Sequence, residues 1–346
     1  MRAAVKLLLA TGVAVLSATA LPAQEDLTQL PAPSDEFRPE QTAWGEPDLR
    51  GGWPIDHLNG RTPLQRAAEH GDRQLLTQEE FAARSETVEQ LGQRYQNEEA
   101  SGTMGIGHWA ETADANRRTS WITSPADGRL PAFTQEGQRL SGEMRSTWVQ
   151  GQPFDSWEDF DSWDRCISRG LPASMFPFMY NNGMRIFQAP GVVALQMEMV
   201  HEVRIIPTNG AAPIPAQIHN WLGESRGSWE DHNTLLVETT NFRPGPSATN
   251  IGTTGSPPDN RTPVSEQAKL TERFHMVGPD AIIYEFTWED PVVFTQPWSA
   301  RLEWQRDDDY GMFEYACHEG NVQVRNFITA SRAERAEAAQ QQGGAQ

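Results

Sequence analysis

Hydrophobic and polar residues alternate with a period of two through most of the second half of the chain, the pattern of half-buried β-strands. The segments 185–188, 192–206, 235–241, 270–276, 281–288, 300–305 and 313–318 carry it. Pro190-Gly191, Asn209-Gly210, Gly278-Pro279-Asp280 and the acidic run Asp307-Asp308-Asp309 punctuate them as turns. Regular strands joined by tight turns predict a mainly β fold, and residues 184–328 read as one continuous antiparallel system. Its core is expected to be a curved sheet or a lipocalin-like barrel, because closure removes exposed edges. The first half reads differently. Thr77-Gln78-Glu79-Glu80 has the form of a capping box, followed by a helical stripe of Phe81, Val88, Leu91 and Tyr95. A second short helix is predicted after Thr134, and residues 96–116 read as a loop. The aromatics Phe154, Trp157, Phe160 and Trp163 fit a short helical turn docked on the core, or else a ligand platform. The Trp221–Glu230 segment reads as a tight turn.

These patterns divide the chain into four parts. Residues 1–23 read as a signal peptide: Arg2 and Lys6 precede a short apolar run, and Ala18-Thr19-Ala20 or Ala23 offers a cleavage site. Residues 24–46 are expected to form an extended arm. Residues 47–330 form a single β-rich domain with a helical N-terminal elaboration, and residues 331–346 a flexible tail. The predicted location is periplasmic or secreted. Two cysteines remain, Cys166 and Cys317, and in an oxidising compartment they most simply pair. Two free buried thiols, or a reactive thiol, are the alternatives.

Charge and composition exclude some partners. With 28 Lys+Arg against 47 Asp+Glu the formal charge is −19, which argues against nucleic acid and against anionic membranes. No later run is apolar enough to insert in a membrane. A small-molecule ligand or substrate is the expected partner, and the 12 tryptophans suggest that it is aromatic. The oligomeric state is left open.

Several segments together resemble a widespread family of exported bacterial proteins of mostly unassigned function. They are Pro-Asp-Leu-Arg-Gly-Gly-Trp (47–53), Arg-Thr-Ser-Trp-Ile (118–122) with Asp-Gly-Arg-Leu-Pro (127–131), and Arg-Cys-Ile-Ser-Arg-Gly-Leu-Pro (165–172). Tyr-Asn-Asn (180–182), His-Glu-Val-Arg-Ile-Ile-Pro (201–207) and Trp-Leu-Gly-Glu-Ser-Arg-Gly-Ser-Trp-Glu (221–230) with Thr-Thr-Asn-Phe (239–242) continue the match. Tyr-Glu-Phe-Thr (284–287) and Tyr-Ala-Cys-His-Glu-Gly-Asn (315–321) complete it. The resemblance implies a secreted, sheet-rich single domain and assigns no activity.

No strong catalytic or phosphate-binding motif is present, so chemistry must come from residues that converge in space. Read as one strand, 194–206 places His201 alone on an apolar face, as a general acid or base or as a hydrogen-bonded core histidine. Glu198, Glu202 and Arg204 then share the opposite face, as an acid–base strip or as a solvated outer surface. A Cys166–Cys317 bond would bring Arg165, Arg169, Tyr180, Asn181 and Asn182 beside His318 and Glu319. The catalytic candidates are therefore His201, Glu202, Arg204, His318 and Glu319. Glu198, Arg165, Arg169, Tyr180, Asn181 and Asn182 are candidates for holding the ligand. No cofactor or metal is expected, although His201, His318 and a carboxylate could assemble a zinc site. The favoured function is an exported, metal-independent acid–base enzyme, a lyase or isomerase ahead of a hydrolase. The alternative is a periplasmic ligand-binding or interaction protein without chemistry.

Overall fold

The computed structural model describes residues 26–251, 261–319 and 321–343, so the expected signal peptide lies outside it. Among these residues there are twelve strands and three α-helices, and every strand pairing is antiparallel. A four-stranded sheet has the order β1 (Gly51–Gly52), β3 (Met184–Ala189), β4 (Val192–Met197), β5 (Val203–Pro207). A six-stranded sheet runs β2 (Ile122–Ser124), β12 (Trp298–Gln305), β11 (Ala281–Glu289), β10 (Lys269–Gly278), β7 (Thr234–Thr240), β6 (Glu224–Trp229). β8 (Gly245–Asn250) and β9 (Arg261–Val264) pair separately.

The fold is mainly β, as the alternation predicts, but neither sheet closes into a barrel. One continuous system was expected over 184–328, and the chain instead builds these separate sheets. The run read as a single strand, 194–206, is a hairpin in which β4 pairs with β5. That hairpin joins β3 rather than extending the larger sheet, whose edges remain at β2 and β6. Trp221–Glu230, expected as a turn, supplies β6. Residues 313–318, expected as a strand, are irregular.

The two larger sheets bury their apolar sides in one cluster that extends from Leu49 to Trp304. Alternation selects the inward residues: Leu270, Phe274 and Met276 on β10, Ile282, Tyr284, Phe286 and Trp288 on β11, and Trp298, Leu302 and Trp304 on β12. Their rings pack edge-on or stacked, with Tyr284 and Trp304 at 5.0 Å between centroids. Trp53, Trp121, Trp298 and Trp304 are all fully buried. Much of the tryptophan content therefore has a structural explanation.

One charged pair crosses this interior. Arg204 on β5 grips Glu272 on β10 through Nη1–Oε1 at 2.9 Å and Nη2–Oε2 at 2.6 Å. Tyr284 donates to Glu272 at 2.8 Å, and Arg204 also donates to Ser225 and Thr239.

The helices are peripheral. α1 (Gln78–Ser101) starts at the expected capping box, in which Glu80 N donates to Thr77 and Thr77 N donates back to Glu80. α2 (Gln135–Gly142) is capped by Thr134, as predicted. The segment expected as a flexible tail, 331–346, is helical up to residue 343, where α3 (Gln323–Gly343) runs through it. Its Ala, Glu, Arg and Gln residues are good helix formers. Phe327 packs on Phe154 and Phe160, while Arg332 and Arg335 reach Asp155. Residues 26–46, within the segment expected as an arm, are irregular and include several turns. The arm lies on the larger sheet, where Pro31 O accepts from Arg301 and Ser34 O meets the His275 ring. Among the described residues no helix is long and apolar enough to cross a membrane.

Candidate functional site

The β4–β5 turn decides where most of the predicted site residues go. Val200 and His201 take positive φ, 60° and 45°, and break the alternation assumed for 194–206. His201 is consequently exposed rather than alone on an apolar face, and that expectation is overturned. Its ring Nδ1 lies 2.8 Å from Tyr315 O, and its ring centroid is 5.4 Å from that of His318. The charged strip is likewise dispersed. Arg204 is committed to Glu272 in the core, Glu202 meets Ser168, and Glu198 turns toward a separate cluster.

That cluster is closed by a strap, residues 310–319, which follows β12 and the Asp307 turn. Glu198 is buried, and each of its oxygens accepts two hydrogen bonds. Oε1 takes Asn181 Nδ2 and Phe313 N, both at 2.9 Å. Oε2 takes Gly183 N and Tyr310 OH, both at 3.0 Å. Residue 183 must be glycine for this arrangement, because a Cβ there would lie 2.5 Å from Glu198 Oε2 and 2.8 Å from the Tyr310 ring. Glu111 approaches the same phenol from the other side. Its Oε1 lies 3.0 Å from Tyr310 OH and accepts from Asn181 N, while Oε2 accepts from Asn182 Nδ2 at 2.6 Å.

One phenol carries one proton, so Tyr310 can donate to only one of the two carboxylates. The other contact is a hydrogen bond only when that carboxyl is itself protonated. Burial pushes Glu111 above the usual carboxylate range, and the Glu198 charge adds to the rise, against the pull of Asn182, Tyr310 and Asn181. Burial and the two carboxylates hold the Tyr310 phenol well above its ordinary value. The geometry places Glu111, the Tyr310 hydroxyl and Glu198 in line, with the phenol between the two carboxyl groups.

The remaining candidates lie around the disulfide. Cys166 and Cys317 are bonded, with Cα atoms 5.6 Å apart. Arg169 is buried between the rings of Trp163 and Phe178, next to Tyr180 and Tyr315. Arg165 is not with it, and stacks between Trp157 and Trp221. His318 and Glu319 are exposed. Asn181 and Asn182 are donors to the acid pair. Glu111 and Tyr310 were missed in the sequence. Glu111 sits in an irregular stretch without periodicity, and Tyr310 follows an acidic turn that reads as solvent-facing.

Burial pushes the Glu202 carboxyl from 4.5 to about 7, although the Ser168 hydroxyl and the Arg204 charge pull it down. The folded state therefore holds an extra proton between these values, and Glu202 lowers stability progressively as pH rises through that window. Glu202→Gln is expected to stabilise the fold above pH 7 by about 3 kcal/mol and to be near neutral at pH 4.5. Urea midpoints at the two pH values check this, and an equal effect at both would contradict it.

An open groove of about 1200 Å³ runs along α1, lined by Phe81, Ser85, Val88, Gln93, Asp56, His57, Asp114 and Glu303 among others. A smaller cavity of about 100 Å³ shares Val88, Thr112 and Ala113 with it and is bounded by Tyr95, Met179 and Glu111. Glu111 is thus among the residues that line the smaller cavity. Among the described residues no group of three His, Cys, Asp or Glu could hold a metal ion, so His201 and His318 do not assemble a zinc site there. No protein-family model matches the chain, and no curated protein matches it either.

Proposed function

We propose that the chain is an exported acid–base enzyme acting on a small organic molecule, with Glu111 as the group that exchanges a proton with the substrate. The observation that carries this reading is one phenol within 3.0 Å of two buried or half-buried carboxylates, one of which borders a cavity. Such a pair suits proton transfer because the hydroxyl follows the charge. When Glu111 gives up its proton, Tyr310 can turn its O–H from Glu198 to Glu111. Glu198 then keeps three donors, from Asn181, Gly183 and Phe313. Both protonation states of Glu111 therefore have a hydrogen-bond partner in Tyr310. Proton abstraction and return, as in a lyase or isomerase, uses this device more directly than hydrolysis. A disulfide-bonded fold is compatible with export.

The test is a metabolite-pool screen on purified protein that scores turnover and retained ligand together. The wild type is expected to turn over a component of the pool, and Glu111→Gln to lose at least about 100-fold in rate. That variant leaves a backbone donor partly unmet, at a cost of about 1–3 kcal/mol, so it is assayed well below its melting temperature. A ligand retained without turnover by the wild type would favour a carrier. Equal turnover by Glu111→Gln would remove Glu111 from the chemistry.

A further inference from the structure

Among the buried arginines described, Arg169 alone has no carboxylate near it. Arg118 and Arg301 pair with Glu303, and Arg204 pairs with Glu272. Arg66 donates to Thr119, Gly71 and Ala126 and feels Asp127 and Asp72. Arg169 is 2% exposed, and its one hydrogen bond runs from Nη1 to Phe176 O at 3.3 Å. Nε and Nη2 are buried with no hydrogen-bond partner. These two nitrogens form one edge of the guanidinium, the fork that matches the two oxygens of a carboxylate.

We infer that Arg169 is the receptor for the carboxylate of a small organic acid, held by the Nε–H and Nη2–H edge between Trp163 and Phe178 and covered by Tyr180 and Tyr315. A buried cation is normally paired, because leaving it alone in an apolar setting is costly. Here the rings supply partial compensation, with centroids 5.4 Å and 5.1 Å from the guanidinium carbon. The ionisable groups that bear on it are the phenols Tyr180 and Tyr315, and no carboxylate is among them. A single positive charge with no counter-charge calls for a monoanion, which favours a carboxylate over a phosphate dianion. Burial lowers Arg169 to about 10, which still leaves it charged at neutral pH.

Tyr180 and Tyr315 are the neighbours of Arg169 that reach the surface. They are partly exposed and stack with centroids 6.5 Å apart. Tyr315 belongs to the strap rather than to a sheet. Tyr180 is followed directly by Asn181 and Asn182, the donors to the acid pair. Calling the bound acid a substrate rests on the acid–base reading; calling Arg169 a carboxylate receptor does not.

Titration calorimetry with acetate, benzoate and inorganic phosphate tests the receptor. At least one carboxylate is expected to bind the wild type saturably, and more tightly than phosphate. Arg169→Lys keeps the charge but loses the fork, and should weaken binding at least about 30-fold. Tyr315→Phe keeps the ring and should weaken it about 3–10-fold. If Arg169→Lys does not fold, the comparison of wild type with Tyr315→Phe, by calorimetry and by carboxylate-induced thermal shift, decides. Absence of carboxylate binding by the wild type, phosphate binding more tightly, or equal binding by Arg169→Lys or Tyr315→Phe would each overturn the inference. Carboxylate binding without turnover of any metabolite leaves it standing and removes the acid–base reading. Turnover without carboxylate binding does the reverse.

Discussion

Replacing Arg204 by methionine should lower the stability of the fold by about 3–5 kcal/mol. The side chains of Arg204 and Glu272 are 1% and 0% exposed, and the bidentate contact between them is the main polar link across the interior. Methionine fills much of the space but leaves the Glu272 carboxylate with only Tyr284 as a donor. An isolated charge at that depth must be protonated or solvated by opening the sheets. The double variant Arg204→Met/Glu272→Leu removes both charges, and should recover most of the loss, since the intact pair balances a large desolvation cost against its own attraction. Urea denaturation of the two variants checks both statements. A single variant within about 1 kcal/mol of the wild type, or a double variant no better than the single, would show that water reaches Glu272.

The disulfide should contribute about as much by a different route. It closes a loop with a sequence separation of 151 residues, for which the chain-entropy model gives roughly 4–5 kcal/mol. The stabilisation acts through the unfolded chain, so Cys166→Ala/Cys317→Ala should unfold at lower urea with the same sheets present at the start. It should also have a local effect, because Cys317 anchors the strap. Hydrogen exchange at 310–319 is expected to accelerate more than exchange in β10 or β11. Uniform acceleration across the molecule would mean that the bond has no special hold on the strap. Unchanged stability would mean that the reduced chain retains the loop contacts when unfolded.

The features legible in the sequence were those with a local physical cause. Thr77 and Glu80 satisfy each other's backbone within one turn, so the helix start could be read from four residues. The strands of the larger sheet were visible because each packs one face on the core. The pairing of the cysteines followed from their number and the expected compartment. The β4–β5 turn was hidden because its five residues, Glu198 to Glu202, include no Gly, Pro, Asn or Asp. Val200 and His201 supply the positive φ that such residues usually provide. With that turn unseen, the faces assigned to His201, Glu202 and Arg204 could not be right. Glu272 did leave a signal, as an acid on the face that carries Leu270, Phe274 and Met276, and such a residue requires a buried partner. Glu111 left none. Its partners lie 70 and 71 residues away in sequence, and nothing in the surrounding loop sets its direction.

The strap also has a consequence for the order in which the molecule becomes complete. β12 ends at Gln305, so all twelve strands are present before Tyr310 is reached. Until then Glu198 lacks two of its four donors, and Glu111 lacks the phenol that connects it to Glu198. A chain emerging N-terminus first can therefore assemble its sheets while both acids are still open to water. They become a coupled pair only when the last segment folds back and Cys317 meets Cys166. Any chemistry that depends on this pair therefore requires the segment through Phe313 to have folded back onto Glu198.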